Sequence, residues 1–330
     1  MTTHNGSEFG LKFANFSVIQ SSYKRVGNHD IGVDMITPRT LPAGKRPIIA
    51  RFHGGGLVTG DSLYEDWFPK WLLDLAESAS AIIISANYRF FPEVAGLDVL
   101  DDVEDFWSWL HSTHPKDLLA ARSTPIEPDL DRILTAGDSA GGLLSVYLTL
   151  SHPDEIRAGT AAYPSLHWDK VPLHPQTWNA KFPDLPVSVY DEYIQNMNVE
   201  NVASSDRSLK RTPIAAAMSR HRKGYETWIR GSDPSSQSNR LFQLARLEKP
   251  DARLPRGGLV IFHGVDDESV PHQASIRFVE RAREVLQDKQ GGDRIVLALR
   301  PGPHGFEAGA SLNEEWIDEA LRVAVNIWLE

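Results

Sequence analysis

The sequence predicts a doubly wound, mostly parallel α/β sheet of the eight-stranded type, interrupted by a helical cap insertion. Three observations carry that expectation. Short runs that are apolar on both faces recur at residues 47–52, 81–86, 132–136, 158–162, 258–262 and 294–299. A strand without a polar face is one covered by helices on both sides. Helical patterns separate these runs, the alternation expected of a parallel sheet with right-handed crossovers. Two longer strand-like stretches, 16–26 and 31–36, come first and are joined by Gly27-Asn28-His29-Asp30, a turn sequence that predicts a hairpin.

The helical patterns follow in order. Residues 67–79 set Trp67, Trp71, Leu72, Leu75 and Ala76 on one stripe, and residues 99–111 do the same with Val103, Phe106, Trp107 and Leu110. Residues 141–150, 271–286 and 314–328 keep the same spacing. Between about 165 and 256 the alternation lapses. That region holds Trp168, Trp178, Phe182, Tyr190, Tyr193, Tyr225 and Trp228 among prolines and charges. It is expected to be a helical cap or lid inserted into a single domain spanning residues 1–330. Most of its aromatics are expected to pack a small core of its own.

Composition narrows the function classes. A net charge of -10 does not attract phosphate backbones or anionic lipid, so neither nucleic acid nor a membrane surface is expected as partner. The absence of cysteine excludes disulfides, thiolate chemistry, cysteine–zinc sites and iron–sulfur clusters. The first ten residues lack an apolar core, so no signal peptide is expected. Apolar runs such as 81–84 are far short of the roughly 20 residues of a membrane span. A cytoplasmic protein is the expectation.

The chemistry-bearing residues sit at the ends of the predicted strands. Gly137-Asp138-Ser139-Ala140-Gly141 follows the run 132–136 and opens a helical pattern. In a strand–turn–helix context this G-x-S-x-G spacing exposes a nucleophilic serine at the top of a sheet. Without that context it would read as a turn with an N-capping serine. His53-Gly54-Gly55-Gly56 follows the run 47–52. A glycine run lets main-chain N–H groups turn toward a developing oxyanion. Gly55 and Gly56 are the expected donors, with Ala140 as a third and Gly54 as the alternate. The lysine of a phosphate-binding loop is missing here. His53 is expected to be a structural hydrogen-bonder.

A serine nucleophile needs a base, and the base needs a carboxylate. The run 258–262 leads into His263-Gly264-Val265-Asp266-Asp267-Glu268. Asp267 is the preferred acid, with Asp266 and then Glu268 as alternatives. The run 294–299 leads into Pro301-Gly302-Pro303-His304-Gly305, which puts His304 after the right strand and in the right chain order. His272 is the rival base, disfavoured because it opens a helix only five residues after Asp267. His111 and His114 lack a third ligand and read as surface residues.

These segments, together with Asn87-Tyr88-Arg89-Phe90-Phe91-Pro92-Glu93, resemble the hormone-sensitive-lipase-like group of α/β-hydrolases. The last segment is similar to that group's Tyr-Arg-Leu-Ala-Pro-Glu stretch with two positions changed, and Asp101 or Asp102 matches an acid that follows it. The resemblance covers about 46–164 well and 258–328 moderately. It does not cover the insertion, and the group's N-terminal helical cap is shortened here to a few residues. It implies esterase or lipase-like activity on a small-molecule acyl ester or thioester, no metal, no organic cofactor, and room for a homodimer through the sheet edge.

Three functions compete. Hydrolysis is the first. Acyl transfer or lactone-forming cyclisation would use the same residues and differ only in the acceptor. A non-catalytic small-molecule receptor is the third, and the presence of His304 counts against it.

Overall fold

Isoleucine, alanine and leucine dominate the apolar runs, and in the computed structural model all of these runs become strands of one sheet. The structure describes residues 3–168, 184–198, 200–233 and 238–330. The strands are β1 (Thr3–Asn5), β2 (Phe16–Val26), β3 (His29–Pro38), β4 (Gly44–Phe52), β5 (Ile82–Ala86), β6 (Ile126–Gly137), β7 (Ile156–Ala162), β8 (Leu259–Gly264) and β9 (Ile295–Arg300). Their order is β1-β2-β3-β5-β4-β6-β7-β8-β9. The pairs from β1 to β5 are antiparallel, and the rest are parallel. The sheet therefore has nine strands rather than eight. The extra one is β1, whose three polar residues pair with Ser17–Ile19 through backbone alone.

The helices are α1 (Lys70–Ser78), α2 (Gly96–Leu110), α3 (Thr113–Ala120), α4 (Ala140–Ser151), α5 (Ser188–Asn196), α6 (Thr212–Arg220), α7 (Lys223–Trp228), α8 (Ser238–Leu241), α9 (Gln243–Arg246), α10 (His272–Val285) and α11 (Glu315–Leu329). The first departs from expectation. Residues 65–67 form a 3₁₀ turn, and α1 begins only at Lys70. Pro69 holds Phe68 in extended backbone, because the residue before a proline is crowded out of the helical region.

Alternation along the strands sorts the core into two layers. Ile48, Ala50 and Phe52 of β4 face one, with α2, α4 and α10. Ile49 faces the other, with Trp71 and Leu72 of α1 and Leu321 and Trp328 of α11. The chain leaves β4 by α1 on one face and leaves β6 by α4 on the opposite face. These two strands are sheet neighbours, so a crevice opens at their C-terminal ends, where open α/β sheets bind ligands.

No strand lies within residues 184–198, 200–233 and 238–256; α5 to α9 fill them. Their aromatics correct the expectation of a separate small core. Trp228 is fully buried within the core layer that contains α2, packs against Phe91, and lies over Gly96 at the start of α2. The helices α7, α8 and α9 have six, four and four residues, too short to enclose a core. Trp178 and Phe182 lie outside the described residues. No helix among the described residues is long and apolar enough to cross a membrane.

Candidate active site

β6 ends at Gly137, α4 begins at Ala140, and the turn between them leaves Ser139 at φ 56°. For a residue with a side chain this backbone costs of the order of 1–3 kcal/mol, and it aims the hydroxyl away from the sheet. The turn is tight because a Cβ on Gly141 would stand 2.1 Å from the Phe52 carbonyl oxygen of β4. Glycine there lets the N-terminus of α4 rest on the neighbouring strand.

The loops after β8 and β9 bring Asp267 and His304 to this turn. The Ser139 hydroxyl lies 3.0 Å from His304 Nε2, and His304 Nδ1 lies 2.7 Å from Asp267 Oδ2. An ionised carboxylate only accepts, so Nδ1–H donates to Asp267 and Nε2 is left to accept from Ser139. The single Nδ1–H goes to Asp267, which leaves Asp266 and Glu268 out of the pair. Asp266 instead accepts from the Gly302 N–H. His272 opens α10, with Gln273 as its side-chain neighbour.

The Asp267 side chain is fully buried, with protein groups in place of water around it. Its Oδ1 accepts from the N–H groups of Ser269 and Val270, each at 2.8 Å. His263 Nε2 stands 3.3 Å from Oδ2. Burial would push this carboxyl up, but the hydrogen bonds from His263, His304 and Val270 together hold it well below the usual carboxylate range.

The glycine loop supplies N–H groups. Gly54 is excluded as a donor to substrate, because its N–H donates to Asp138 Oδ2 at 2.8 Å. Gly55 (φ 106°) and Gly56 (φ 65°) take backbone conformations that side chains resist. Both line a cavity of about 970 Å³ together with Ser139 and His304. Ala140 opens α4, where the first-turn N–H groups point outward with the positive end of the helix dipole. A Cβ on Gly55 would fall 1.9 Å from the Thr59 carbonyl oxygen. Gly55→Ala should therefore displace the loop and cost about 10²–10³ in kcat, as loss of one oxyanion donor does. Steady-state kinetics on a p-nitrophenyl ester check this.

Several residues around the site were not singled out in the sequence. Arg51, on β4, is buried at 1% exposure and donates to Asp138 Oδ1 at 2.8 Å. His263 is held between Ser275 and the Val270 carbonyl as well as Asp267. The Tyr163 ring lies against His304 at 4.4 Å, and its hydroxyl donates to the buried Glu307. Their one sequence signal is a polar or charged residue inside or beside an apolar run.

Burial, then the nearby Asp138 charge, pushes the Glu307 carboxyl up to about 8. The folded protein thus keeps a proton that the unfolded chain releases above about pH 4.5, so this group makes stability fall from there up to about pH 8. Glu307→Gln keeps the shape and removes the titration. Its melting temperature should exceed that of the wild type at pH 8 by an amount equivalent to a few kcal/mol, and the gap should close near pH 4.5. A scan of melting temperature against pH measures both ends.

The segment 203–211 ties the α6 wall of the cavity to the glycine loop. Asp206 accepts from Thr59 Oγ1 and from the Lys210 and Arg211 N–H groups. Arg211 donates to the carbonyls of Val58 and Phe91 and pairs with Glu93. Ala215, Ala216 and Met218 of α6, with Trp67, Trp168 and Tyr225, give the cavity much of its apolar lining. The Asn87–Glu93 segment is structural here. Tyr88 donates to the His53 carbonyl at 2.7 Å, and Arg89 pairs with Asp102 rather than Asp101. His53 donates from Nδ1 to the Gly54 carbonyl, and burial pushes its imidazole down. No cluster of three or more His, Asp or Glu able to hold a metal occurs among the described residues.

Comparison with known proteins agrees with this architecture. The sequence model of a family described as alpha/beta hydrolase fold matches residues 49–219. A probable carboxylesterase, M8, of Phoma sp. is 30% identical over 332 residues, covering 93% of this chain and 94% of that protein. The structure is similar to esterase LipW of Mycobacterium marinum, with a TM-score of 0.61 at 17% identity over 98% of this chain and 85% of that one. It is also similar to a hyperthermophilic esterase of the archaeon Pyrobaculum calidifontis, with a TM-score of 0.58 at 18% identity over 94% of this chain and 85% of that one.

Proposed function

From the premise that the chain belongs to the α/β-hydrolase family, in its hormone-sensitive-lipase-like group, we propose that it hydrolyses carboxylic esters of small molecules through an acyl-enzyme on Ser139. The observation that carries this reading is the unbroken line Ser139–His304–Asp267, with contacts of 3.0 and 2.7 Å, at the wall of a cavity edged by Gly55 and Gly56.

The steps follow from the geometry. Ser139 Oγ attacks the ester carbonyl while His304 Nε2 takes its proton. The carbonyl π bond breaks, and the oxyanion is held by the N–H groups of Gly55, Gly56 and Ala140. The alcohol departs with the proton from His304, leaving an ester on Ser139. Water then attacks with His304 again as base, and the acid product leaves. Asp267 stays ionised throughout and fixes the tautomer. In this reading residues 165–256 form the cap of one domain, with α6 as the cavity wall that selects the acyl or alcohol group.

A second reading keeps the acyl-enzyme and passes the acyl group to an alcohol, as ester or lactone. The size of the cavity supports it, because about 970 Å³ exceeds what a short acyl chain fills and lies at the upper end of ligand pockets.

The test is a panel of p-nitrophenyl esters from acetate to decanoate, with and without an added alcohol. Hydrolysis with an optimum at six carbons or longer is expected from the cavity volume. Acylation that turns over only when an alcohol is present would favour transfer. A folded enzyme that neither acylates nor turns over any member would leave the receptor reading standing.

A further inference from the structure

Arg51 is the last residue but one of β4, directly after the buried run Ile48-Ile49-Ala50, where a charge is costly unless it is compensated. Its side chain shares a face of the sheet with Ile49 and is almost wholly buried. The compensation is specific. Nη2 donates to Asp138 Oδ1 at 2.8 Å; Nη1 reaches the Ser85 hydroxyl at 3.2 Å and the Ser62 carbonyl at 3.3 Å. The guanidinium lies 4.0 Å over the Phe68 ring.

Asp138 is the residue before the nucleophile and joins two strand ends with its two oxygens. Oδ1 faces Arg51, and Oδ2 accepts the Gly54 N–H. Gly54 in turn begins the run whose next two residues, Gly55 and Gly56, line the cavity beside Ser139. Three successive glycines have little conformational preference of their own, so the direction of the Gly55 and Gly56 amides depends on how the ends of the run are held. At the far end the Gly55 carbonyl accepts from Val58 and Thr59. At the near end Asp138 holds Gly54, and Arg51 holds Asp138.

We propose that Arg51 is a positioning residue for the oxyanion loop, acting through Asp138 and the Gly54 amide on the direction of the Gly55 and Gly56 N–H groups. This rests on the acyl-transfer reading above. Without Arg51 the buried carboxylate loses the partner on Oδ1. A charged Asp138 then turns toward another donor, and that turn loosens the grip of Oδ2 on Gly54. An oxyanion forms only in the transition state, so the loss falls on kcat and leaves substrate binding intact.

The test uses Arg51→Met, Arg51→Lys and the double variant Arg51→Met/Asp138→Asn in the full chain. Each is first checked for its melting temperature. Two readouts follow: kcat and KM on a p-nitrophenyl ester, and Ki for an aryl trifluoromethyl ketone, whose adduct with Ser139 carries the oxyanion. Arg51→Met should lower kcat by about 10–10³-fold with KM within about threefold, and should weaken the ketone by a similar factor. Arg51→Lys should lose less than Arg51→Met. The double variant should recover about tenfold or more of the loss, because the side-chain carbonyl introduced by Asp138→Asn can still accept from Gly54 without a charge to neutralise. If Arg51→Met does not fold, the double variant carries the test, and activity within about tenfold of wild type is expected of it. Unchanged kcat in Arg51→Met, a loss confined to KM, or a double variant no better than the single overturns the proposal. A wild type whose activity does not depend on Ser139 would instead overturn the reading beneath it, and Ser139→Ala, run alongside, tells the two failures apart.

Discussion

Ser139→Ala should lose about 10⁴–10⁶-fold in kcat while keeping the wild-type melting temperature to within a degree or two. The hydroxyl makes one side-chain contact among those described, to His304, and that contact is half-buried. Its removal leaves no buried polar group without a partner, because His304 Nε2 can turn to water in the cavity. The backbone strain at φ 56° is the same for alanine as for serine, so stability gains nothing from the change. The Gly55, Gly56 and Ala140 amides remain, so the variant should bind the substrate with little change in affinity. Kinetics on the best ester of the panel, beside a thermal melt, separate this outcome from simple unfolding.

Asp267→Asn should lose about 10⁴-fold in kcat, and the reason lies in which oxygen does what. Oδ1 accepts from two backbone N–H groups, those of Ser269 and Val270. An asparagine must keep its carbonyl there and so must point its NH₂ at His304 and His263. His304 can then no longer donate from Nδ1. The proton moves to Nε2, and Ser139 loses its acceptor. Asp266→Asn should stay within about threefold of wild type, since the Asp266 carboxylate accepts from the Gly302 N–H at an exposed position, a bond the asparagine carbonyl can keep. The pair of variants assayed together distinguishes the two neighbouring acids. The depressed ionisation of Asp267 sets a sign as well. Its contribution to stability is complete above the ordinary carboxylate range and is lost only as pH falls below that range, so mild acid should not discharge it.

The fold was legible where burial imposes a pattern. A parallel strand under two helical layers has no polar face, and the run Ile82-Ile83-Ile84 could be little else. β1 was not legible, because Thr3-His4-Asn5 joins the sheet edge by backbone pairing that leaves no mark on side-chain choice. α3 is not legible in the sequence, because Thr113–Ala120 buries only Pro115 and Leu119 and so has no apolar stripe. The start of α1 moved because Pro69 governs the residue before it, a local steric rule that overrode the longer stripe from Trp67.

The site divides in the same way. Ser139, Asp267 and His304 could each be read because each lies just past a strand end in a glycine-rich or acidic turn, and the fold's chain order links them. The sequence leaves Gly54 as an alternate to Gly55 and Gly56, and the bond from its N–H to Asp138 takes it out of contention. Arg51, His263, Tyr163 and Glu307 carry a sequence signal too weak to assign them a role. Each is one polar residue in an apolar setting, and its meaning comes from a partner distant in sequence, as with Arg51 and Asp138, 87 positions apart. A buried charge becomes informative only when its counter-charge is seen.

The most direct measurement is to trap the intermediate. Wild type mixed with the best p-nitrophenyl ester and quenched in acid within the first turnovers should carry the mass of one acyl group. Peptide mapping should place that group on Ser139, and Ser139→Ala should carry none. Turnover without any acyl adduct, or an adduct on another residue that persists in Ser139→Ala, would contradict the account.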